Sequence, residues 1–259
     1  MSSPAPHLCV ATPCFAGNIT QVYHTSMMEL ASEAAARGIG FSAIYSAGDS
    51  LITRARNRLV NRFLERPGWS HLLFIDADIG FSPDQVFRLL ASGHNVVGGV
   101  YPLKNIFWDR IASGALTPAA RQARSLEYVV GAGNTPREDG HGFLAVNYVG
   151  TGFLLIARET LELLCARFPE TRYFTDDAAD KDFFQRGGAS TPKYALFDTR
   201  IDHKTGRYLS EDYAFCDLCR EAGEQVWADL TSRLDHVGFS TFSGDLATKL
   251  GRVNEWPPR

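Results

Sequence analysis

The stretch that decides the fold is Leu72-Leu73-Phe74-Ile75-Asp76-Ala77-Asp78. Four large apolar residues in a row, followed by Gly80 and Pro83, predict a short strand that is buried on both faces. Asp76 and Asp78 project from the same side of an extended backbone, because side chains alternate along a strand. Two close carboxylates repel each other unless a cation lies between them. The pattern therefore predicts a divalent cation at the end of this strand, the alternative being a loop with two solvated acids.

The composition limits the classes of protein to consider. A chain of 259 residues is long enough for one sizeable α/β core. Its 26 basic and 29 acidic residues leave a formal net charge of −3, which gives no electrostatic reason to expect nucleic acid as a partner. No apolar run approaches the roughly 20 residues of a transmembrane helix, and the first residues lack the features of a signal peptide. We expect a cytoplasmic protein without a transmembrane segment.

The five cysteines stand at irregular spacings, which favours reduced thiols over a disulfide framework. Cys216 and Cys219 form a C-x-x-C pattern, but no second Cys or His pair at zinc-site spacing accompanies them. Apolar residues interleave with the two cysteines as on an amphipathic helix. We therefore predict that both are buried core residues.

Strands and helices alternate through the first hundred residues. The apolar periodicity predicts strands at 7–11, 41–45, 72–75 and 95–101, and helices at 20–37, 51–64 and 83–90. Such alternation is typical of βαβ units around a mostly parallel sheet. Ligands of these sheets bind at the carboxyl ends of the strands, so Asp76 and Asp78 are expected at the ligand-binding edge.

The later part of the chain is less regular. Residues 105–142 lack clear periodicity and are predicted to be irregular and to recognise an acceptor. Strand character resumes over 144–157 around Gly150-Thr151-Gly152, and the polar segment 173–193 is predicted as a lid or acceptor loop. A hairpin with Gly206 at its tip, a helix from Ser210 to Gly223, a strand at 226–230 and an amphipathic tail over 239–259 complete the prediction.

Four features in this order resemble the GT-A fold, metal-dependent glycosyltransferases, in particular the family-2-like inverting group. They are Thr12-Pro13, Ala55-Arg56-Asn57, Asp76-x-Asp78, and Glu211-Asp212 with His236. The resemblance covers about residues 8–104 and 146–238. It implies an α/β, Rossmann-like single domain over 1–259, in which a central, mostly parallel mixed sheet is flanked by helices. Residues 8–104 would form the nucleotide-sugar-binding half, and 105–259 the acceptor and catalytic half.

The resemblance also implies which residues bind the donor. The base pocket, the nucleotide, the ribose and the transferred sugar would be contacted by Thr12, Pro13, Cys14, Arg56, Asn57, Asp76, Ala77, Gly150, Thr151 and Gly152. An Arg near a helix N-terminus is also a suitable phosphate partner on chemical grounds. Local alternatives exist for each group: a βα turn at 12–14, a solvated face for the Arg cluster, and a β-bulge at 150–152 that is compatible with sugar contact.

For the metal, the resemblance implies Mn²⁺ or Mg²⁺ held by Asp76, Asp78 and His236, with Asp235 orienting the imidazole. For catalysis it implies Asp212 as the base and Glu211 as a helper that orients the acceptor or the helix. Ser210 as an N-cap, with acids in the first helical turn, is an adequate structural explanation of the same residues.

The implied activity is transfer of a sugar from a nucleotide-sugar donor to a hydroxyl of a glycan or lipid-linked acceptor, as in polysaccharide biosynthesis. A UDP-sugar is favoured over GDP or dTDP donors, and inversion follows from the resemblance. One alternative is a sugar nucleotidyltransferase, which would be expected to carry a Gly-rich basic loop where Thr12-Pro13-Cys14-Phe15 stands. The other is a non-catalytic sugar-nucleotide-binding module, which would bind without turnover.

Overall fold

The computed structural model describes residues 5–107, 117–174 and 192–251. Its strands are β1 His7–Cys14, β2 Gly40–Ala47, β3 His71–Ile75, β4 Ile79–Gly80, β5 Val96–Gly99, β6 Val130–Glu138, β7 Phe143–Val149, β8 Phe153–Ala157, β9 Arg172–Tyr173, β10 Lys193–Tyr194, β11 Arg200–Ile201, β12 Tyr208–Leu209, β13 Val226–Asp229, β14 Asp235–Val237 and β15 Thr241–Ser243. Its α-helices are α1 Gln21–Ala36, α2 Ile52–Leu64, α3 Pro83–Ala91, α4 Pro118–Ser125, α5 Arg158–Arg167, α6 Glu211–Glu221 and α7 Leu246–Lys249. A 3-10 turn, Pro169–Thr171, follows α5.

An eight-stranded mixed sheet has the order β2-β1-β3-β8-β5-β13-β7-β6. β1 pairs in parallel with β2 and β3, and β13 pairs in parallel with β5. β8 is antiparallel to both of its neighbours, and so is β7. All strands of this sheet except β7 and β8 therefore run in one direction, and the predicted α/β class with a mostly parallel mixed sheet is confirmed.

The prediction that β3 is buried on both faces is also confirmed. Leu72 and Phe74 join an apolar cluster that includes residues of α2, α5 and α6. Leu73 and Ile75 join a second cluster that includes residues of α1 and α3. Because side chains alternate across a strand, four consecutive apolar residues supply both cores, and β3 is an interior strand between β1 and β8.

The region predicted to be irregular contains regular structure in its described part. Thr117 accepts a hydrogen bond from the Ala120 N–H and Pro118 occupies the first turn, so α4 begins at a well-formed N-terminus. β6 lies at the edge of the sheet and pairs with β7 through two register shifts. The sequence of this strand does not indicate it, because its two Gly residues, its Asn and its Pro have low β-propensity and the strand depends on pairing with β7. The expectation of an irregular segment is wrong for 118–125 and 130–138, and 108–116 lies outside the described residues.

The 144–157 stretch forms two strands of the same sheet, β7 and β8, which are separated by β5 and β13. The link between them passes over Tyr101. A Cβ added at Gly150 would lie 2.3 Å from the Tyr101 hydroxyl oxygen, and one at Gly152 would lie 2.7 Å from Tyr101 Cζ. Gly152 also donates its N–H to that hydroxyl over 3.1 Å. Glycine is required here because the backbone approaches an aromatic ring closely.

The hairpin with Gly206 near its tip is present as β11 and β12. The described part of the tail packs as core: Phe242 and Leu246 are buried in the cluster that also contains Leu72. The tail beyond 251 and the polar segment 175–191, predicted to be a lid or acceptor loop, lie outside the described residues.

All five cysteines are free thiols, and Cys216 and Cys219 are completely buried. Both lie in the apolar cluster that also contains residues of α2 and α5. This confirms that the two cysteines of the C-x-x-C pattern are core residues. Within the ranges that the structure covers, every helix is too short or too polar to cross a bilayer.

Candidate functional site

A cavity of about 490 Å³ opens beside the carboxyl ends of β1 and β3. This volume falls within the roughly 300–1,000 Å³ of small-molecule sites. The loops that follow β1, β2 and β3 supply seven of its fifteen lining residues, as expected for ligand sites of α/β sheets. The lining residues are Pro13, Cys14, Phe15, Asn18, Asp49, Ser50, Ile52, Ala55, Arg56, Asp76, Ala77, Asp78, Lys104, Glu211 and His236.

Asp78 and His236 meet at one side of this cavity. β14 pairs antiparallel with β4, and the Val237 N–H donates to the Asp78 carbonyl oxygen over 2.9 Å. His236 Nε2 lies 3.5 Å from Asp78 Oδ1, and His236 Nδ1 lies 2.8 Å from the Pro102 carbonyl oxygen. A carbonyl only accepts, so Nδ1 carries a proton. With Nδ1 engaged in this way, Nε2 is the ring nitrogen that faces the Asp78 carboxylate, and it is the one available to bind a cation beside that carboxylate.

The Lys104 ammonium contacts the same carboxylate, at Asp78 Oδ2. Burial raises the pKa of Asp78, but the hydrogen bonds from His236 and Lys104 outweigh burial and hold that pKa below its usual value. The side chains of Asp78 and Lys104 remain about one-third exposed, at 31% and 33%. The pair therefore lies at the cavity surface, within reach of a ligand.

Two side chains of this cavity, Asp78 and His236, are placed to bind a divalent cation together. In the ranges that the structure describes, no group of three or more His, Cys, Asp and Glu side chains is arranged to hold a metal. Asp78 and His236 converge, whereas Asp76 turns to Arg56. Mg²⁺ is often bound by one or two protein carboxylates, with phosphates and water completing its shell. Asp78 supplies one such carboxylate and His236 adds an imidazole beside it, and Asp76 is not placed as their third ligand.

Arg56 links two acids from distant parts of the chain. Its guanidinium donates to Asp76 Oδ1 over 3.0 Å and to Glu211 Oε1 over 3.3 Å, and it lies 5.2 Å from the centre of the Phe74 ring. The side chain is only 4% exposed. Burial lowers the pKa of Arg56, but the charges of Asp76 and Glu211 more than compensate, so that pKa is raised. Arg56 Nη1 is buried without a hydrogen-bond partner among the described residues.

The two acids at the start of α6 have different surroundings. Glu211 lines the cavity and is held by Arg56. Asp212 does not line it; its Oδ1 accepts from the Ser210 hydroxyl and from the Tyr213 N–H, the latter over 2.8 Å. Ser210 occupies the N-cap position as predicted. Its hydroxyl donates to Asp212 and does not accept a hydrogen bond from a backbone N–H of the helix. The structure thus brings Glu211, not Asp212, into direct contact with the cavity.

Of the residues predicted to bind the donor, Pro13, Cys14, Arg56, Asp76 and Ala77 line the cavity. The other five are used within the fold. They are Thr12, Asn57, Gly150, Thr151 and Gly152, and none of them lines the cavity.

Two of these positions show why local reasoning misplaced them. β1 continues to Cys14 instead of ending at 11, so Thr12 faces the core and its hydroxyl bonds the Tyr23 hydroxyl over 2.6 Å. Asn57 pairs with the backbone of Phe197, donating to its oxygen over 3.2 Å and accepting from its N–H over 2.8 Å. Neighbouring residues of a helix point in different directions, so Asn57 turns away from the cavity that Arg56 lines.

Several cavity residues were not predicted to bind a ligand. Phe15 is 64% exposed at the cavity wall. The Asp49 side chain is fully buried and accepts hydrogen bonds from Arg54, Arg58 and the Leu51 N–H. These bonds, that from Arg54 above all, lower the pKa of Asp49. The sequence feature that could have identified these residues is their position directly after β1 and β2, because such sheets bind ligands at the carboxyl ends of their strands.

Comparison with known proteins gives remote structural similarity. No protein-family model matches the chain, and no curated protein matches it. The chain is similar to the solved structure of A197 from STIV (16% identity, 90% of this chain and 86% of that chain, TM-score 0.46). It is also similar to a glycosyltransferase involved in glycosylation of the major capsid of PBCV-1 (11% identity, 70% and 75%, TM-score 0.33). A third similar structure is a putative glucose-1-phosphate thymidylyltransferase from Bacillus anthracis in complex with a sucrose (11% identity, 73% and 88%, TM-score 0.32).

Proposed function

We propose that the chain is a glycosyltransferase of the GT-A type that takes a nucleotide-sugar donor in the cavity beside β1 and β3. The observation that carries the proposal is the convergence of Asp78 and His236 Nε2 at 3.5 Å, with the imidazole oriented by the Pro102 carbonyl. Ligand-binding imidazoles commonly have their other ring N–H fixed by a carbonyl in this way. The sequence resemblance then favours a diphosphate and a divalent cation as the ligands of this corner.

The rest of the cavity suits a nucleotide. Phe15 offers an exposed aromatic ring, and stacking of a base on an aromatic side chain contributes about 1–3 kcal/mol. Ser50 and Asn18 supply polar groups. Lys104 and Arg56 carry positive charge on the side of the cavity where Asp78 lies. These groups favour a nucleotide whose base lies toward Phe15 and whose diphosphate lies toward Lys104. The sequence resemblance favours UDP as that nucleotide.

Asp78 and His236 would hold Mn²⁺ or Mg²⁺, and the ion would neutralise the leaving diphosphate as a Lewis acid. In the proposed inverting transfer, a carboxylate takes the proton of the acceptor hydroxyl, the oxygen bonds to the anomeric carbon, and the sugar–phosphate bond breaks with its electron pair on the diphosphate. We assign the base to Asp212, because its Oδ2 lies outside the two hydrogen bonds described above. Glu211 is engaged by Arg56 and positions the site.

The donor site is tested by thermal unfolding with UDP, GDP, CDP or dTDP, each with Mn²⁺ or with EDTA. We expect a metal-dependent rise in melting temperature with one nucleotide, since a ligand at about 100 times its Kd adds roughly 2.7 kcal/mol of stability. Asp78→Ala should lose that rise. Asp84→Ala is the matched control, because the Asp84 side chain is 86% exposed on α3 and should leave the rise unchanged. The absence of a rise with every nucleotide would overturn the donor-site assignment.

Turnover is tested separately from binding. With the donor identified, Asp212→Asn should abolish sugar transfer while the nucleotide-induced rise in melting temperature persists. If Asp212→Asn transfers sugar as fast as the parent and Glu211→Gln does not, the base is Glu211. If the parent binds nucleotide but neither transfers nor hydrolyses the donor, the chain is a binding module.

A further inference from the structure

Lys104 supplies a positive charge to the same Asp78 carboxylate that would bind a metal ion. Its ammonium contacts Asp78 Oδ2, on the same carboxylate whose Oδ1 faces His236 Nε2. Its aliphatic stem passes close to Gly238, where an added Cβ would lie 3.0 Å from Lys104 Cδ. The absence of a side chain at 238 therefore leaves room for this stem beside β14.

The backbone around Lys104 is fixed, whereas its side chain reaches the cavity surface. Leu103 donates its N–H to the Glu127 carbonyl over 2.7 Å, and Pro102 forms a β-bridge with Tyr128. The Lys104 side chain is 33% exposed. A lysine side chain carries a compact charge on a flexible four-carbon stem, so its ammonium can exchange partners without a change in the backbone.

Each acid of the cavity already has a basic partner. Asp49 is paired with Arg54 and Arg58, Asp76 and Glu211 with Arg56, and Asp78 with Lys104. Asp49, Asp76 and Glu211 are paired with arginines. Arg54 and Arg58 lie outside the cavity wall, whereas Arg56 and Lys104 line it, and Arg56 is 4% exposed against 33% for Lys104. A divalent cation bound to Asp78 would stand against the Lys104 ammonium, and like charges at contact distance repel strongly. Metal binding between Asp78 and His236 is therefore opposed while Lys104 stays on Asp78, and it favours departure of the ammonium.

We propose that Lys104 is an exchangeable cation, which neutralises Asp78 in the free site and transfers to the diphosphate when a divalent ion takes Asp78 and His236. This inference rests on the proposed nucleotide site. A metal alone displaces the ammonium without giving it a new anionic partner, whereas the metal and the diphosphate together supply one. Metal and nucleoside diphosphate should then bind cooperatively, and the coupling must be the same in both directions.

The test is a Mn²⁺ titration followed by the electron paramagnetic resonance signal of free Mn²⁺, with and without UDP, or with the nucleotide that the thermal screen selects. In the parent, the nucleotide should tighten Mn²⁺ binding by a factor within roughly 5–150. In Lys104→Met, Mn²⁺ alone should bind more tightly than in the parent, by a factor of the same order. The nucleotide should bind more weakly to this variant, and its effect on Mn²⁺ affinity should shrink.

Two further variants separate charge from folding. Lys104→Arg keeps the positive charge and should retain the weak binding of Mn²⁺ alone. Lys204→Met makes the same chemical change as Lys104→Met in the exposed turn of the β11–β12 hairpin and should match the parent. If Lys104→Met shows a lowered melting temperature without ligand, Lys104→Gln replaces it in the same titration.

The outcomes also separate this inference from the proposed function. If Asp78→Ala abolishes the metal-dependent nucleotide effect but Lys104→Met binds Mn²⁺ and nucleotide as the parent does, the donor site stands and the exchange is wrong. If neither Mn²⁺ nor any nucleotide binds the parent, both are wrong. A gain in Mn²⁺ affinity in Lys104→Met that is absent from Lys104→Arg supports the exchange.

Discussion

Arg56 shows how one residue joins the core to the cavity. Its guanidinium is buried over the Phe74 ring and serves Asp76 and Glu211 together. A buried charge is costly unless it is paired and hydrogen-bonded, so both acids help to keep this cation inside the protein. Arg56 in turn fixes the positions of two carboxylates, Asp76 at the end of β3 and Glu211 at the start of α6.

We predict that Arg56→Met lowers the free energy of unfolding by about 3 kcal/mol. Breaking a buried pair costs roughly 3–5 kcal/mol, and the lower end applies because Asp76 and Glu211 keep some contact with water, with side chains 28% and 14% exposed. Urea unfolding measures the change. Arg54→Met is the control, because the Arg54 side chain is 52% exposed and Asp49 also pairs with Arg58. Equal stability of the two variants would contradict the prediction.

At the scale of elements, α2 performs two tasks on neighbouring faces. One face presents Arg56 to the cavity. The other presents Asn57 and Asn61, four residues apart and therefore on one side of the helix. Asn57 bonds both backbone groups of Phe197, and Asn61 does the same for Tyr194, accepting from its N–H over 2.9 Å and donating to its oxygen over 3.1 Å. The two amides thus hold the segment 194–197 against α2, and its first residue, Tyr194, also pairs with Arg172 between β10 and β9.

We predict that Asn57→Ala destabilises the fold without weakening nucleotide binding. The change leaves the Phe197 N–H and oxygen without their partner, and an unsatisfied buried polar group costs about 1–3 kcal/mol. The unfolding midpoint in urea should fall, while the rise in melting temperature caused by metal and nucleotide should keep the size that it has in the parent. Asn61→Ala should behave in the same way. Loss of the nucleotide effect with an unchanged midpoint would instead place Asn57 in the donor site.

At the scale of the whole molecule, the central sheet separates two apolar cores. One contains Cys9, Cys216 and Cys219 together with residues of α2, α5 and α6. Burial raises the pKa of Cys9 and of Cys216 to about 12. Since the thiolate is the reactive form of cysteine, these groups are inert while the core stays closed.

We predict that a disulfide-exchange reagent at pH 8 titrates all five thiols only after unfolding. In the native protein, Cys9, Cys216 and Cys219 should react no faster than the protein unfolds, because they are completely buried. A reductant should leave the melting temperature unchanged. Fast native reaction of three or more thiols, counted by the absorbance of the released thiolate, would contradict this description of the core.

The sequence by itself determined the features that depend on local periodicity. Leu72–Ile75 identified a strand buried on both faces, the alternation of strands and helices identified the α/β class, and the apolar residues around Cys216 and Cys219 identified a core helix. The position of Asp76 and Asp78 after β3 identified the edge of the sheet where the cavity lies. The spacing of apolar residues is a property of neighbouring positions, so one stretch of sequence is enough to indicate a strand or helix and its buried face.

The tertiary structure decided which side chains meet. Arg56 and Glu211 are separated by 155 positions, and Asp78 and Lys104 by 26, so no local pattern contains either contact. Thr12 and Asn57 lie beside cavity residues in the sequence but turn into the core. These contacts arise because the sheet order brings the ends of distant strands together, and because adjacent side chains on a strand or helix point in different directions.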